Sequence, residues 1–224
     1  DYQDLKESYQ NYQLHDLGDE TIFFNYINKV TLQTSLAVVM IRTTVFNALS
    51  LPIETRYGSG FIFHEKDGFH YVLTTYDVIS DHLGSSAGYD VYDYLEYGYT
   101  STLRYASETD NLAVLSIAVN QSRPLNILSV TNSKLMMNEP VLLIGYQRKI
   151  INALTMGTYL GNDDYEDVNY MRTDIPTDVF GSGGVVINSR HEVIGLQVFF
   201  EDTFQYCLRD DAMDDFIHDF LETL

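Results

Sequence analysis

The chain has 224 residues, 45% of them hydrophobic, with 18 tyrosines and 12 phenylalanines. That is ample for one large β domain or two small ones, and it excludes a low-complexity disordered chain. Acidic side chains number 32 against 13 basic ones, a formal net charge of −19, which repels phosphate backbones and anionic bilayers and excludes nucleic acid as an expected partner. The single cysteine, Cys207, rules out an intrachain disulfide, so a disulfide-stapled scaffold is excluded while an extracellular bacterial location stays open. No run approaches the ~18 apolar residues of a membrane span. The chain opens on Asp1 rather than Met, so a signal or membrane anchor upstream is expected to be possible. The expected location is the exterior or surface of a bacterial cell, with the cytoplasm as the alternative.

Residues 1–22 form a polar segment, rich in acids, that reads as a solvated helix or tether. Phe23, Phe24, Ile27 and Val30 then fall at helical spacing, and Ser35 to Ile41 reads as a buried strand. Leu49 to Tyr57 reads as a loop, because Pro52 argues against a central strand. Short strand-like runs follow: Gly60–Phe63, Tyr71–Thr75, Tyr99–Tyr105 and Leu112–Ile117, with Asp67-Gly68 as a hairpin turn between the first two. After Pro124 come Val141–Ile144, Ala153–Leu160, Tyr170–Arg172, Val185–Ile187, Val193–Phe200 and Phe204–Leu208. Strands this short and this regularly spaced, with little helical pattern between them, predict an all-β barrel or sandwich architecture. The last stretch differs. Met213, Phe216, Ile217, Phe220, Leu221 and Leu224 make one face of an amphipathic helix, with Asp210 and Asp211 at the positive end of its dipole.

Chemistry is concentrated at Phe180-Gly181-Ser182-Gly183-Gly184, a hydroxyl on a glycine turn that feeds the apolar run Val185-Val186. Other polar clusters carry less. Asn162-Asp-Asp-Tyr-Glu-Asp167 has carboxylates that suit Ca²⁺, lacks the glycine and spacing of a dedicated calcium loop, and reads as a solvated charge run. The tyrosines at 89, 92, 94, 97 and 99 read as cross-strand packing. His64 and His191 read as exposed turn residues, and no histidine pair has zinc-ligand spacing. No metal and no cofactor are expected.

Several segments together resemble a known family. Gly58-Ser-Gly-Phe-Ile62 and Tyr71-Val-Leu-Thr-Thr-Tyr-Asp-Val-Ile79 are similar to the strand pair before and at the catalytic histidine of trypsin-like serine proteases, the HtrA/Deg bacterial branch above all. Asn111-Leu-Ala-Val-Leu115, Glu139-Pro-Val-Leu-Leu-Ile-Gly145, Thr155-Met-Gly157, Arg172-Thr-Asp-Ile-Pro176, Gly181-Ser-Gly-Gly184 and Glu192-Val-Ile-Gly195 follow in the family's order. The resemblance implies two packed antiparallel β-barrels over residues 23–120 and 121–208, with the helix at 209–224 as a final latch. It also implies a serine nucleophile, an imidazole base, an orienting carboxylate and an oxyanion hole of backbone N–H groups.

Carried over residue by residue, that machinery is degenerate. Ser182 falls on the nucleophile, Asp77 on the histidine and Asn111 on the orienting aspartate. The oxyanion-hole segment is Phe180, Gly181 and Ser182, with Phe180 where the family has glycine, and the substrate-pairing strand is Leu196, Gln197 and Val198. A carboxylate, with a reference pKa of roughly 3.9, is a poor proton acceptor from a serine hydroxyl. The resemblance therefore implies a catalytically inactive homologue that binds a peptide or protein, a basic one given the net charge. The alternative is a working serine endopeptidase using Ser182 with an unconventional or partner-supplied base.

Overall fold

A computed structural model describes residues 32–80, 86–147, 150–166, 168–176, 182–188, 190–201 and 203–224. The expected helical run from Phe23 to Val30, and the acidic segment before it, lie outside the described residues. Thirteen strands and two helices are named here. Seven strands form the first sheet: β1 (Val38–Phe46), β2 (Pro52–Lys66), β3 (Phe69–Thr75), β4 (Ser86–Tyr92), β5 (Gly98–Thr100), β6 (Thr102–Ser107) and β7 (Leu112–Ala118). A single turn of helix, α1 (Tyr76–Ile79), follows β3. Six strands form the second sheet: β8 (Pro140–Gln147), β9 (Ile150–Tyr165), β10 (Val168–Thr173), β11 (Val185–Asn188), β12 (Val193–Glu201) and β13 (Phe204–Arg209). Helix α2 (Asp210–Leu221) ends the chain.

The first sheet has the order β5-β4-β1-β2-β3-β7-β6. Its outer strands β5 and β6 sit at opposite edges yet are separated in sequence by Ser101 alone. So short a link forces the two edges together and rolls the sheet into a barrel. The second sheet closes outright in the order β10-β13-β12-β11-β8-β9, with β9 pairing back onto β10. The architecture is the expected pair of antiparallel barrels.

Side-chain alternation explains why so many strands are apolar throughout. Along β8, Val141 and Leu143 belong to one buried cluster with Met171, Val186, Ile194 and Cys207, all from the second barrel. Their neighbours Leu142 and Ile144 belong to another, shared with Phe61, Leu73 and Val114 of the first barrel. Successive residues point to opposite faces, so one face of each strand fills its own barrel and the other fills the seam between barrels. Helix α2 seals that seam. Met213, Phe216 and Phe220 are buried, and the Phe220 ring lies 6.0 Å from Phe63, 5.3 Å from Tyr71 and 6.1 Å from Tyr105. A helix that leaves the second barrel thus packs its aromatic stripe on three strands of the first.

The tertiary structure alters several local expectations. Pro52 opens strand β2 and pairs with Phe46; as the first residue of a strand it has no ladder N–H to lose. The expected run from Tyr99 to Tyr105 is divided by Ser101 between β5 and β6. Of the acidic stretch, Asn162 to Tyr165 belong to β9 rather than to a loop, with Asp163 paired to Arg172 at 2.9 Å, while Asp167 lies outside the described residues. Asp164 accepts a hydrogen bond from Asn169 across the same hairpin. His64 lies within β2, with its ring 5.9 Å from Tyr71, rather than in a turn. Leu221, the last residue of α2, and Leu224 beyond it are 36% and 41% exposed, so the apolar stripe ends at Phe220. Asp210, expected at the solvated helix start, is 9% exposed and accepts the N–H groups of Ser133 and Asp211. Burial pushes its carboxyl up. The Asp67-Gly68 turn is as expected, with both φ values positive at 52° and 82°, the primed geometry that matches strand twist.

Two stability experiments follow. Phe220→Ala opens a cavity under α2 and is expected to cost about 3–5 kcal/mol, read by urea denaturation. His70 is 3% exposed, and burial lowers its pKa against a smaller opposing pull from Glu65. The unfolded chain therefore binds a proton below about pH 6.5 that the folded chain does not accept until lower pH. Stability should fall as pH drops through that window, and His70→Gln should flatten the fall.

Candidate active site

The two barrels meet at Ser59 of β2, which is completely buried. Its N–H donates to the Ser182 carbonyl at 2.8 Å, joining the first barrel to the serine turn. Its Oγ accepts the Tyr146 N–H of β8 at 2.7 Å, and its carbonyl accepts Thr74 Oγ1 of β3 at 2.6 Å. Three strands and the turn are fastened through one small residue. The backbones must come very close for this. A Cβ on Gly183, which has φ +85°, would stand 2.1 Å from the Ser59 carbonyl oxygen, and one on Gly145 would stand 2.7 Å from Ser59 Oγ. Glycine is required at Gly183 for both the left-handed φ and the contact.

This anchoring presents Ser182 at the barrel junction. Thr75 Oγ1 donates to Ser182 Oγ at 3.0 Å. Ser182 Oγ in turn faces the carbonyls of Gln197 at 3.3 Å and Val198 at 3.2 Å. Among the described residues no hydrogen bond links Ser182 Oγ to Asp77. The hydroxyl proton is directed at peptide carbonyls, which are hydrogen-bond acceptors with no useful basicity. Phe180 and Gly181 lie outside the described residues.

Asp77 and Asn111 are brought together. Asp77 sits in the first turn of α1, and Asn111 begins the approach to β7 with φ 51°, a conformation asparagine tolerates better than most residues. The Asn111 carbonyl accepts the Tyr76 N–H at 3.1 Å, and its Oδ1 accepts the Asp77 N–H at 3.1 Å. Its Nδ2 donates to Asp77 Oδ2 at 2.9 Å. Asn111 thus caps the helical turn and neutralises no charge. The two side chains are complementary, since an aspartate at 111 would face the Asp77 carboxylate with like charge, whereas an amide supplies a donor. Arg56 donates to the carbonyls of Asp77 and Ser80, holding the far end of the same turn.

Of the expected substrate-pairing strand, Leu196 is buried in the seam and Gln197 is 1% exposed; what Gln197 and Val198 offer Ser182 is backbone oxygen. Phe199 stacks on Tyr206 at 4.7 Å and lies 4.9 Å from Tyr165 and 5.3 Å from Tyr170, so it is packed, whereas Phe200 is 40% exposed. Thr75, Ser59 and Tyr170 are neighbours that sequence reasoning missed. Burial and then the Asp77 charge push the Tyr170 hydroxyl up. The motif runs Thr74-Thr75-Tyr76-Asp77 and Gly58-Ser-Gly-Phe-Ile62 held the signals for Thr75 and Ser59; nothing local marked Tyr170.

A double barrel with a glycine-flanked serine at the junction defines a class, and comparison with known proteins identifies it. The sequence profile described as trypsin-like peptidase domain matches residues 58–196, and the chain belongs to that family. It is 27% identical over 197 residues to human serine protease HTRA3, covering 82% of this chain and 42% of that protein. It is 27% identical over 186 residues to mitochondrial serine protease HTRA2 of Drosophila virilis, covering 77% and 42%. It is 30% identical over 155 residues to the serine protease Do-like HtrA of Lactococcus lactis, covering 62% and 36%. The chain is a trypsin-like domain of HtrA type, and it spans about two-fifths of the length of these relatives.

The site geometry makes two measurable demands. Asn111→Asp alone should destabilise the domain by about 1 kcal/mol at neutral pH, because Asp77 loses a donor and gains a like charge at an exposed position. Acidification should restore much of that loss in a pH-dependent melt. Gly183→Ala combines a left-handed φ, worth ~1–2 kcal/mol, with a backbone clash, and should lower the melting temperature by several degrees.

Proposed function

We propose that this domain is a non-catalytic trypsin-like homologue that binds a peptide or protein rather than cleaving it. One observation carries the reading: Ser182 Oγ directs its proton to the Gln197 and Val198 carbonyls, and the side chain at the base position, Asp77, is engaged by Asn111. Serine attack needs a group that removes the hydroxyl proton and returns it to the leaving amine. Peptide carbonyls do neither. In serine proteases with a Ser-His-Asp triad, loss of the orienting carboxylate alone lowers turnover about 10⁴-fold, and in this reading the imidazole is replaced as well.

Two features support a peptide cleft in this reading: the serine turn is anchored through Ser59, and β12 runs beside it. In this reading the cleft accepts an extended segment as an added strand, and the net charge of −19 favours a basic one.

A fluorophosphonate probe tests inactivity directly. No labelling of Ser182 is expected at neutral pH, and cleavage of unstructured casein by the parent should equal that of Ser182→Ala. Stoichiometric labelling, or cleavage lost only in the alanine variant, overturns the reading. Asp77→His combined with Asn111→Asp is expected to gain labelling, because it supplies the base and its orienting carboxylate together.

A further inference from the structure

Beside Asn111 a groove of about 500 Å³ opens between the β6–β7 turn, the start of β10 and helix α2. Its floor is apolar, formed by Val168, Tyr170, Leu208 and Phe216, and Val168 is 37% exposed there. Carboxylates from two elements overlook that floor: Asp110 from the turn, and Asp211, Asp215 and Asp219 from α2. The three on the helix recur every four residues, so they stand on one face with a rise of ~6 Å between successive members.

Like charges at that spacing repel along the helix. The cation lining the groove, Arg209, is already held by Asp211 at 2.8 Å and by Asn169. Asp215 and Asp219 have no basic partner among the described residues. The groove therefore offers unneutralised negative charge in register with an apolar strip.

We propose that this groove docks an extended segment of a partner protein carrying Lys or Arg at alternate positions. The match is geometric as well as electrostatic. Alternate residues of an extended chain lie on one side at ~6.6 Å intervals, close to the rise between the helix carboxylates. Lysine and arginine stems lie on apolar surface while their heads reach for charge, which is what Val168 and Tyr170 below a carboxylate row provide. The inference rests on the reading of this domain as a binding module, and it gives that module a second surface, which borders the candidate site at Asn111 and does not include Ser182.

The test uses a fluorescein-labelled Lys-Ser-Lys-Ser-Lys peptide titrated into the full chain, followed by anisotropy at low and physiological ionic strength. One saturable site is expected, weakened by salt. Asp215→Asn with Asp219→Asn should weaken it about twofold to thirtyfold, the range for two exposed charge pairs. Both positions are exposed, and an unchanged melting temperature would show that the fold is kept. The charge-matched pair Asp67→Asn with Glu96→Gln, in the first barrel, should leave affinity as it was. Equal weakening by both pairs would mean diffuse attraction to net charge and would overturn the proposal, as would absence of a saturable site. Weakening by Ser182→Trp with no effect of the helix substitutions would place the peptide in the cleft, overturning the groove while supporting the cleft reading. Fluorophosphonate labelling of Ser182, by contrast, would defeat inactivity and leave this titration untouched.

Discussion

Everything at the junction of the two barrels depends on the backbone of the serine turn lying against the backbone of Ser59. The contact is a hydrogen bond from the Ser59 N–H to the Ser182 carbonyl, reinforced by the bonds that Ser59 makes to Tyr146 and Thr74. A polar residue buried so completely is tolerable only when its groups are satisfied, and here each of its N–H, C=O and hydroxyl groups has a partner. The glycines that the sequence scatters across distant segments, Gly58, Gly145, Gly183 and Gly184, all lie within reach of this spot. Their common purpose is closeness: a side chain at Gly58, Gly145 or Gly183 would push against the other barrel, and one at Gly184 would meet Gln197 and Leu143.

That anchoring is a structural duty of its own: the turn is fixed by main-chain bonds and glycine contacts, none of which involves position 77 or 111. Those two positions form a separate local arrangement. Asn111 secures the first turn of α1 through its carbonyl and both ends of its amide, and Asp77 accepts from it. An amide facing a carboxylate is a stable pair; two carboxylates there would not be.

The net charge of −19 is distributed with the same economy. Several acids are used internally: Asp93 is held by Arg123 and two N–H groups, Asp163 by Arg172, and Asp210 by the Ser133 and Asp211 N–H groups. Those on the outer turns of α2 are not used in this way. The helix that closes the seam with Phe216 and Phe220 therefore also carries the unneutralised row beside the groove, because its two faces are set by one helical repeat.

Much of this was legible in the sequence. The alternating apolar runs determined the strands, Asp67-Gly68 determined its hairpin, and the spacing of Met213, Phe216 and Phe220 determined the latch helix, since each signal acts over a few neighbouring residues. The family was legible too, in the order of the segments that carry Asp77, Asn111 and Ser182. Only the tertiary structure decided that Pro52 opens a strand, that Asp163 and Asp164 pair across a hairpin, and that Asp210 is buried, because each outcome depends on what packs alongside. It alone decided where the Ser182 hydroxyl points. The partner that donates to it, Thr75, is 107 residues away in sequence, and such a contact has no local signature: folding two barrels against each other creates it.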